Sequence, residues 1–129
     1  MCLITEQKWP KIAWKPITTY KVVYGYRDYY KTVYQKANIQ ISKTYRESVY
    51  NILRNRDYSL HIDEGKKYYD FHEGLHSVTE KNTAESIAKY FDVLYPTEVV
   101  ECKIPRFSLY WIGNNNDIVS NKLKYVKIL

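Results

Sequence analysis

Among the 129 residues there are two cysteines, four glycines, four prolines and one methionine. Cys2 and Cys102 are too few for a disulfide framework or an all-cysteine zinc site. They read as buried free thiols, and Cys102 fits because it lies within an apolar alternation. With so little glycine and proline there are no long flexible linkers. No apolar run approaches the ~20 residues that cross a bilayer as a helix. The opening "MCLITEQKWPKIAW" has too little apolar sequence, and too early a Glu6 and Lys8, for a secretory signal, so the expected location is the cytoplasm. No Gly-rich phosphate loop and no dinucleotide fingerprint is found.

The chain does have apolar residues, tyrosine and positive charge. It is 45% hydrophobic, which argues against disorder, and its length suits one domain with one core. Its net charge of +6 favours anionic partners such as nucleotides or nucleic acid, although the lysines are scattered rather than clustered. There are 15 tyrosines against three phenylalanines. A tyrosine ring gives a flat apolar face with a polar tip, so tyrosines beside cations suit stacked bases and phosphates; they also serve as ordinary strand and rim residues.

Residues 1–16 read as an irregular arm limited by Pro10 and Pro16, with Trp9 and Trp14 anchoring it to the body. "ITTYKVV", residues 17–23, is a strand with Ile17, Thr19, Lys21 and Val23 on one face and Thr18, Tyr20 and Val22 on the other. The stretch 27–48 is ambiguous, with a short strand near Ile39 to Ile41. "SVYNILRN" fits strand or a helical turn, "YSLHI" a short strand, and "DEGKK" a turn. Ala84, Ile87, Ala88, Phe91 and Leu94 make one apolar stripe, which predicts a helix over about 83–94, capped by Asn82 or Thr79 and stopped by Pro96. Residues 98–104, "FSLYWIG" and 122–128 read as further strands. The fold class is therefore α+β: a single domain, 1–129, with a mostly antiparallel sheet and one main helix.

The stretch "GLHSVTEKNTAESIAKYF" poses the sharpest question about a site. Ser77 and Thr79 precede a helix start, where free N–H groups carry partial positive charge. Either they seat an anion with help from Lys81, or they cap the helix. With nearby strand residues, the candidate ligand-binding set is Tyr20, Lys21, His76, Ser77, Thr79, Arg106 and Tyr110. His72 and His76 have the i, i+4 spacing of a helical metal pair, but Gly74 lies between them, the segment precedes the helix, and no third ligand is indicated. Glu73 with His76 is a weak acid–base pair, and Ser77 beside His76 is no nucleophile–base pair, because adjacent side chains on an extended segment point apart. No catalytic residue, metal ligand or cofactor is assigned.

"MCLIT", "YKVV", "GLHSVTEKNTA", "VVECKIPRFSLYWIG" and "IVSNKLKYVKIL" together resemble a group of short proteins of gut Bacteroidetes and their phages. That resemblance covers roughly half the chain and implies no particular activity. Tyr20-Lys21, Ser77-Val78-Thr79 and Val100 to Pro105 are also similar in outline to ADP-ribosyltransferase-like folds. Those folds carry a catalytic glutamate near a late strand, whereas "VSNKLKYV" has no carboxylate and Asp117 is the nearest acid. The resemblance thus implies binding without turnover. The first reading is a non-catalytic protein that binds an anionic nucleotide, in a phage setting one that sequesters a nucleotide immune signal in the host cytoplasm. The alternatives are an ADP-ribosyltransferase-like enzyme using NAD, an inhibitor that meets a host protein through a Tyr-rich face, and a nucleic-acid binder; self-association stays open.

Overall fold

A computed structural model describes residues 3–25, 29–34, 37–61, 66–93 and 95–129. The expectations placed on Cys2, on Ile62, on 63–65 of the turn "DEGKK" and on Leu94 lie outside these residues; Lys66 and Lys67, the rest of that turn, begin a strand instead. In chain order the elements are β1 (Leu3–Thr5), β2 (Lys11–Ile12), β3 (Ile17–Gly25), β4 (Tyr30–Thr32), β5 (Asn38–Ile39) and β6 (Thr44–Arg46). There follow the helix α1 (Val49–Arg54), β7 (Asp57–His61), β8 (Lys66–Phe71), β9 (Leu75–Val78) and the helix α2 (Lys81–Phe91). The chain closes with β10 (Thr97–Ile104), β11 (Leu109–Ile112), β12 (Asp117–Ser120) and β13 (Lys122–Ile128). The protein is an α+β domain.

The main sheet runs β2-β11-β12-β9-β3-β10-β13-β6, with β4 on β3 and β5 on β4; β1-β8-β7 form a small second sheet. Every pairing among the described strands is antiparallel. The strand alternation read from the sequence decides what each face meets. Val23, Val100, Cys102, Ile104, Ile118, Leu123 and Tyr125 form one buried cluster, joined by Ile17, Leu75 and Tyr110. These residues come from strands near both ends of the order, so the sheet curls around this inner face.

The outer face has two covers. Under α2, Val22, Tyr24 and Val78 pack against Ala84, with Ile87, Ala88 and Phe91 alongside. Under the small sheet and α1, Trp111 and Val119 meet Leu3, Ile52, Tyr69 and Phe71. The stripe on α2 thus faces the sheet as expected, but Ala84 is its one fully buried member, and Ile87 and Phe91 stay half-buried.

Three expectations are corrected. The N-cap of α2 is Glu80, in extended conformation and without a side-chain cap bond, rather than Asn82 or Thr79. The helix ends at Phe91, before Pro96. The arm contributes β1 and β2, and its tryptophans are not buried anchors: Trp9 is 61% exposed and Trp14 67%. "SVYNILRN" resolves as the short helix α1, started by Ser48, whose Oγ accepts from the Asn51 N–H at 3.4 Å.

Candidate functional site

Strands β9 and β3 lie side by side, with Tyr20 opposite Val78. That neighbourhood brings four candidate residues together: Tyr20, Lys21, His76 and Ser77 line one cavity, closed by Val33, Tyr34 and Ile87. The cavity measures about 30 Å³. That is about a tenth of the ~300 Å³ at which small-molecule sites begin, too little for a nucleotide.

The lysine is directed inward. Lys21 Nζ donates to the His76 carbonyl oxygen at 2.6 Å, and no carboxylate pairs with it among the described residues. Burial lowers its ammonium from 10.5 to about 8, with the neighbouring Cys102 acting weakly the other way. Burial also pushes the Cys102 thiol up to about 12. The hydroxyls of Thr19 and Ser77 are buried without a partner.

His76 is 4% exposed, and its Nε2 lies 3.3 Å from the His72 carbonyl, which places the ring proton on Nε2 and leaves Nδ1 without a partner. Burial first, and the Lys21 charge second, lower its pKa from 6.5 to about 4. Between those two values the unfolded chain holds more protons than the folded one, so stability falls as pH drops through that window. His76 alone accounts for about 3 kcal/mol of this loss. Asp117 opposes part of it, because burial raises its carboxyl and the folded state then takes up that proton more readily. Urea titrations from pH 7 to pH 4 check this: His76→Gln is expected to flatten the acid slope, and equal slopes in the two proteins would contradict it.

The remaining candidates do not line this cavity. Thr79 gives both its N–H and its hydroxyl to the Asn116 carbonyl, at 2.8 and 3.1 Å. Glu80 places a negative charge at the start of α2, and Lys81 pairs with Glu85 at 3.8 Å, so neither the anion seat nor the expected cap is built there. Arg106 lies over the Phe107 ring, 4.5 Å from its centroid. Tyr110 sits on β11, separated from β9 by β12, with its carbonyl accepting from Gln7 Nε2. His72 and His76 are not on a helix; His72 meets Asp57 at 2.8 Å, and no group of three or more metal-ligating side chains occurs among the described residues. Glu101 pairs across from Tyr20 on β10, whereas Asp117 is buried at the start of β12.

A second concavity, of about 640 Å³, lies at the β4–β5 and β6 side of the sheet, lined by Tyr29, Tyr30, Ile39, Gln40, Lys43 and Tyr45 among others. Its size falls within the range of small-molecule sites. The Lys43 ammonium lies 5.2 Å from the Tyr45 ring centroid and that of Lys31 5.9 Å from Tyr29. Tyr45 is fixed edge-on to Tyr125 at 5.4 Å, and its hydroxyl accepts from the Gln40 N–H at 2.8 Å. Ser42, at φ 71°, makes the turn that sets Lys43 beside this ring. Sequence reasoning missed this group because it falls in the stretch whose period was ambiguous; the signal present was Tyr-Tyr at 29–30 followed by Lys-x-Tyr at 43–45.

No family model, no curated protein and no solved structure matches the chain. No helix among the described residues is long and apolar enough to cross a membrane.

Proposed function

We propose that the protein is a non-catalytic binder of an anionic nucleotide, held in the groove of Tyr29, Tyr30, Lys43 and Tyr45. The observation that carries this reading is a ligand-sized concavity where rings and a cation converge. The rings supply faces for a base and Lys43 a charge for phosphate, within a chain of net charge +6. With the resemblance to phage proteins, its use is sequestration of a nucleotide signal in the infected cell.

Calorimetry against mono-, di- and cyclic nucleotides at two salt concentrations tests it. Lys43→Ala is expected to weaken all phosphorylated ligands alike, and binding to fall with salt. Tyr29→Ala, at a position 44% exposed, is expected to change the ranking among bases by ~1–3 kcal/mol per stacked base without altering the melt. Absence of binding at low salt, or binding untouched by both substitutions, would remove the groove as the site. Nicotinamide release on incubation with NAD would replace the reading with an enzymatic one.

A further inference from the structure

The edge of the main sheet away from the tyrosine groove carries a second arrangement of rings and cations. Strand β2 is the first in the order, paired on one side only, to β11. Beside it, Trp9 is 61% exposed, Trp14 67% and Phe107 58%. Large rings left this far in water along one sheet edge are uncommon on a protein surface that has nothing to bind.

Each half of the group is interleaved with cations. Lys8 Nζ and the Arg56 guanidinium each lie 5.5 Å from the Trp9 centroid, and Arg106 lies 4.5 Å from that of Phe107. Lys11 and Lys15 are exposed in the same segment. Neither 8–15, "KWPKIAWK", nor 105–108, "PRFS", contains an acid. In sequence Glu6 precedes the first segment and Glu101 the second, while Asp57, next to Arg56, meets His72 at 2.8 Å.

The backbone beneath the rings is fixed. The Lys8 carbonyl accepts from Arg56 Nη1 at 2.8 Å and from the buried Trp111 Nε1 at 3.4 Å. The Ala13 N–H donates to the Ser108 carbonyl, and the Phe107 N–H returns to the Ala13 carbonyl, which ties the Trp14 side to the Phe107 turn. Trp14 and Phe107 then stand edge to face, 6.1 Å apart.

We infer that this edge is a platform for single-stranded nucleic acid, with Trp9, Trp14 and Phe107 stacking on bases and Lys8, Lys11, Lys15, Arg56 and Arg106 meeting phosphates. The chemistry selects this occupant. A protein-docking face has a charge-depleted centre, whereas here Trp9 and Phe107 each have a cation over the ring and Lys15 follows Trp14 in the chain. A duplex hides the base faces that such rings contact. Trp9 and Trp14 flank the two-residue strand β2 and are five positions apart, at most ~16 Å at ~3.3 Å per residue, a span that successive nucleotides of one strand can cover.

The test is fluorescence anisotropy of a labelled oligothymidylate of ~12 nucleotides, within the usual span of single-strand sites, titrated with the full chain. Binding is expected at low salt, with log affinity falling linearly against log salt and intrinsic tryptophan emission quenched in parallel. Trp9→Ala with Trp14→Ala is expected to weaken binding by tenfold or more and to leave the melt unchanged, since Trp111 keeps the core. Arg106→Gln is expected to reduce the salt slope by ~0.7, the share of one phosphate on a single strand. Lys43→Ala, in the nucleotide groove, leaves oligonucleotide binding as it was. No anisotropy change at low salt, equal affinity of the double variant, equal affinity for a duplex of the same length, or quenching by anionic vesicles in place of the oligonucleotide would each overturn the inference.

Discussion

Trp111→Ala is expected to lower the unfolding free energy by about 3–5 kcal/mol, a large part of the ~5–15 kcal/mol that holds a domain of this kind. Trp111 is fully buried and is the largest such side chain. Its ring lies 4.9 Å from that of Phe71, and it packs within a cluster of Leu3, Ile52 and Val119 that joins the small sheet and α1 to the main sheet. Truncation opens a cavity where the small sheet, α1 and the main sheet meet, and that space collapses poorly because the backbone of each is held by its own hydrogen bonds. It also removes the Nε1 donor to the Lys8 carbonyl, although Arg56 still satisfies that oxygen. Chemical denaturation of Trp111→Ala, Trp111→Phe and Trp9→Ala in one series gives the comparison: Trp9→Ala should stay within about 0.5 kcal/mol of the parent, as exposed positions do. A loss below about 1 kcal/mol for Trp111→Ala would show that the small sheet is not held through this ring.

Gly74→Ala is expected to cost about 2–6 kcal/mol, adding backbone strain of ~1–3 to overpacking of ~1–3. Gly74 has φ 101°, which L side chains avoid, and it is buried where the chain turns from β8 into β9. A Cβ there would stand 2.5 Å from Val119 Cγ1 and 3.3 Å from Ile52. The two contributions separate in a double-mutant cycle. Val119→Ala removes the nearest obstacle, so the pair should cost less than the sum of the single changes, with the strain remaining. Strict additivity would mean that the contact with Val119 is relieved by movement and only the backbone strain counts.

How far the sequence made this fold legible depended on the length of each element. Strands β3 and β10 carry eight or nine residues of alternation, and the faces read from Ile17 to Val23 and from Val99 to Cys102 are the faces that pack. In β13 the alternation slips by one residue at the irregularity opposite Glu101 and Cys102, so Ile128, read with Lys122, Lys124 and Val126, joins Leu123 and Tyr125 on the inner face instead. By contrast β2 and β5 have two residues each, too few for any period to show, and they exist because a longer neighbour offers an edge. Helix α1 has a single buried residue, Ile52, so no stripe announces it. The candidate site was legible in part. Tyr20, Lys21, His76 and Ser77 do meet, since β3 and β9 are neighbours, but the direction of the Lys21 ammonium is set by the His76 carbonyl across the sheet. The tyrosine groove and the Trp9 edge arise from turns and pairings between distant segments, which local pattern does not encode.

The pairing of β3 with β10 also governs how the chain reaches this state. It joins Tyr24 to Thr97 and Ile17 to Ile104, on two interior strands of the curled sheet that are far apart in sequence. Most of the molecule lies between them and must be gathered before the pair can form. The entropy of closing so long a loop is lost before any of these contacts can offset it. Domains built on such distant pairings fold in milliseconds to seconds, and until that pair closes the edges of β3 and β10 remain open to other chains. The same topology that buries the inner cluster from both ends of the sheet thus leaves strand edges of the nascent chain uncovered until late in folding.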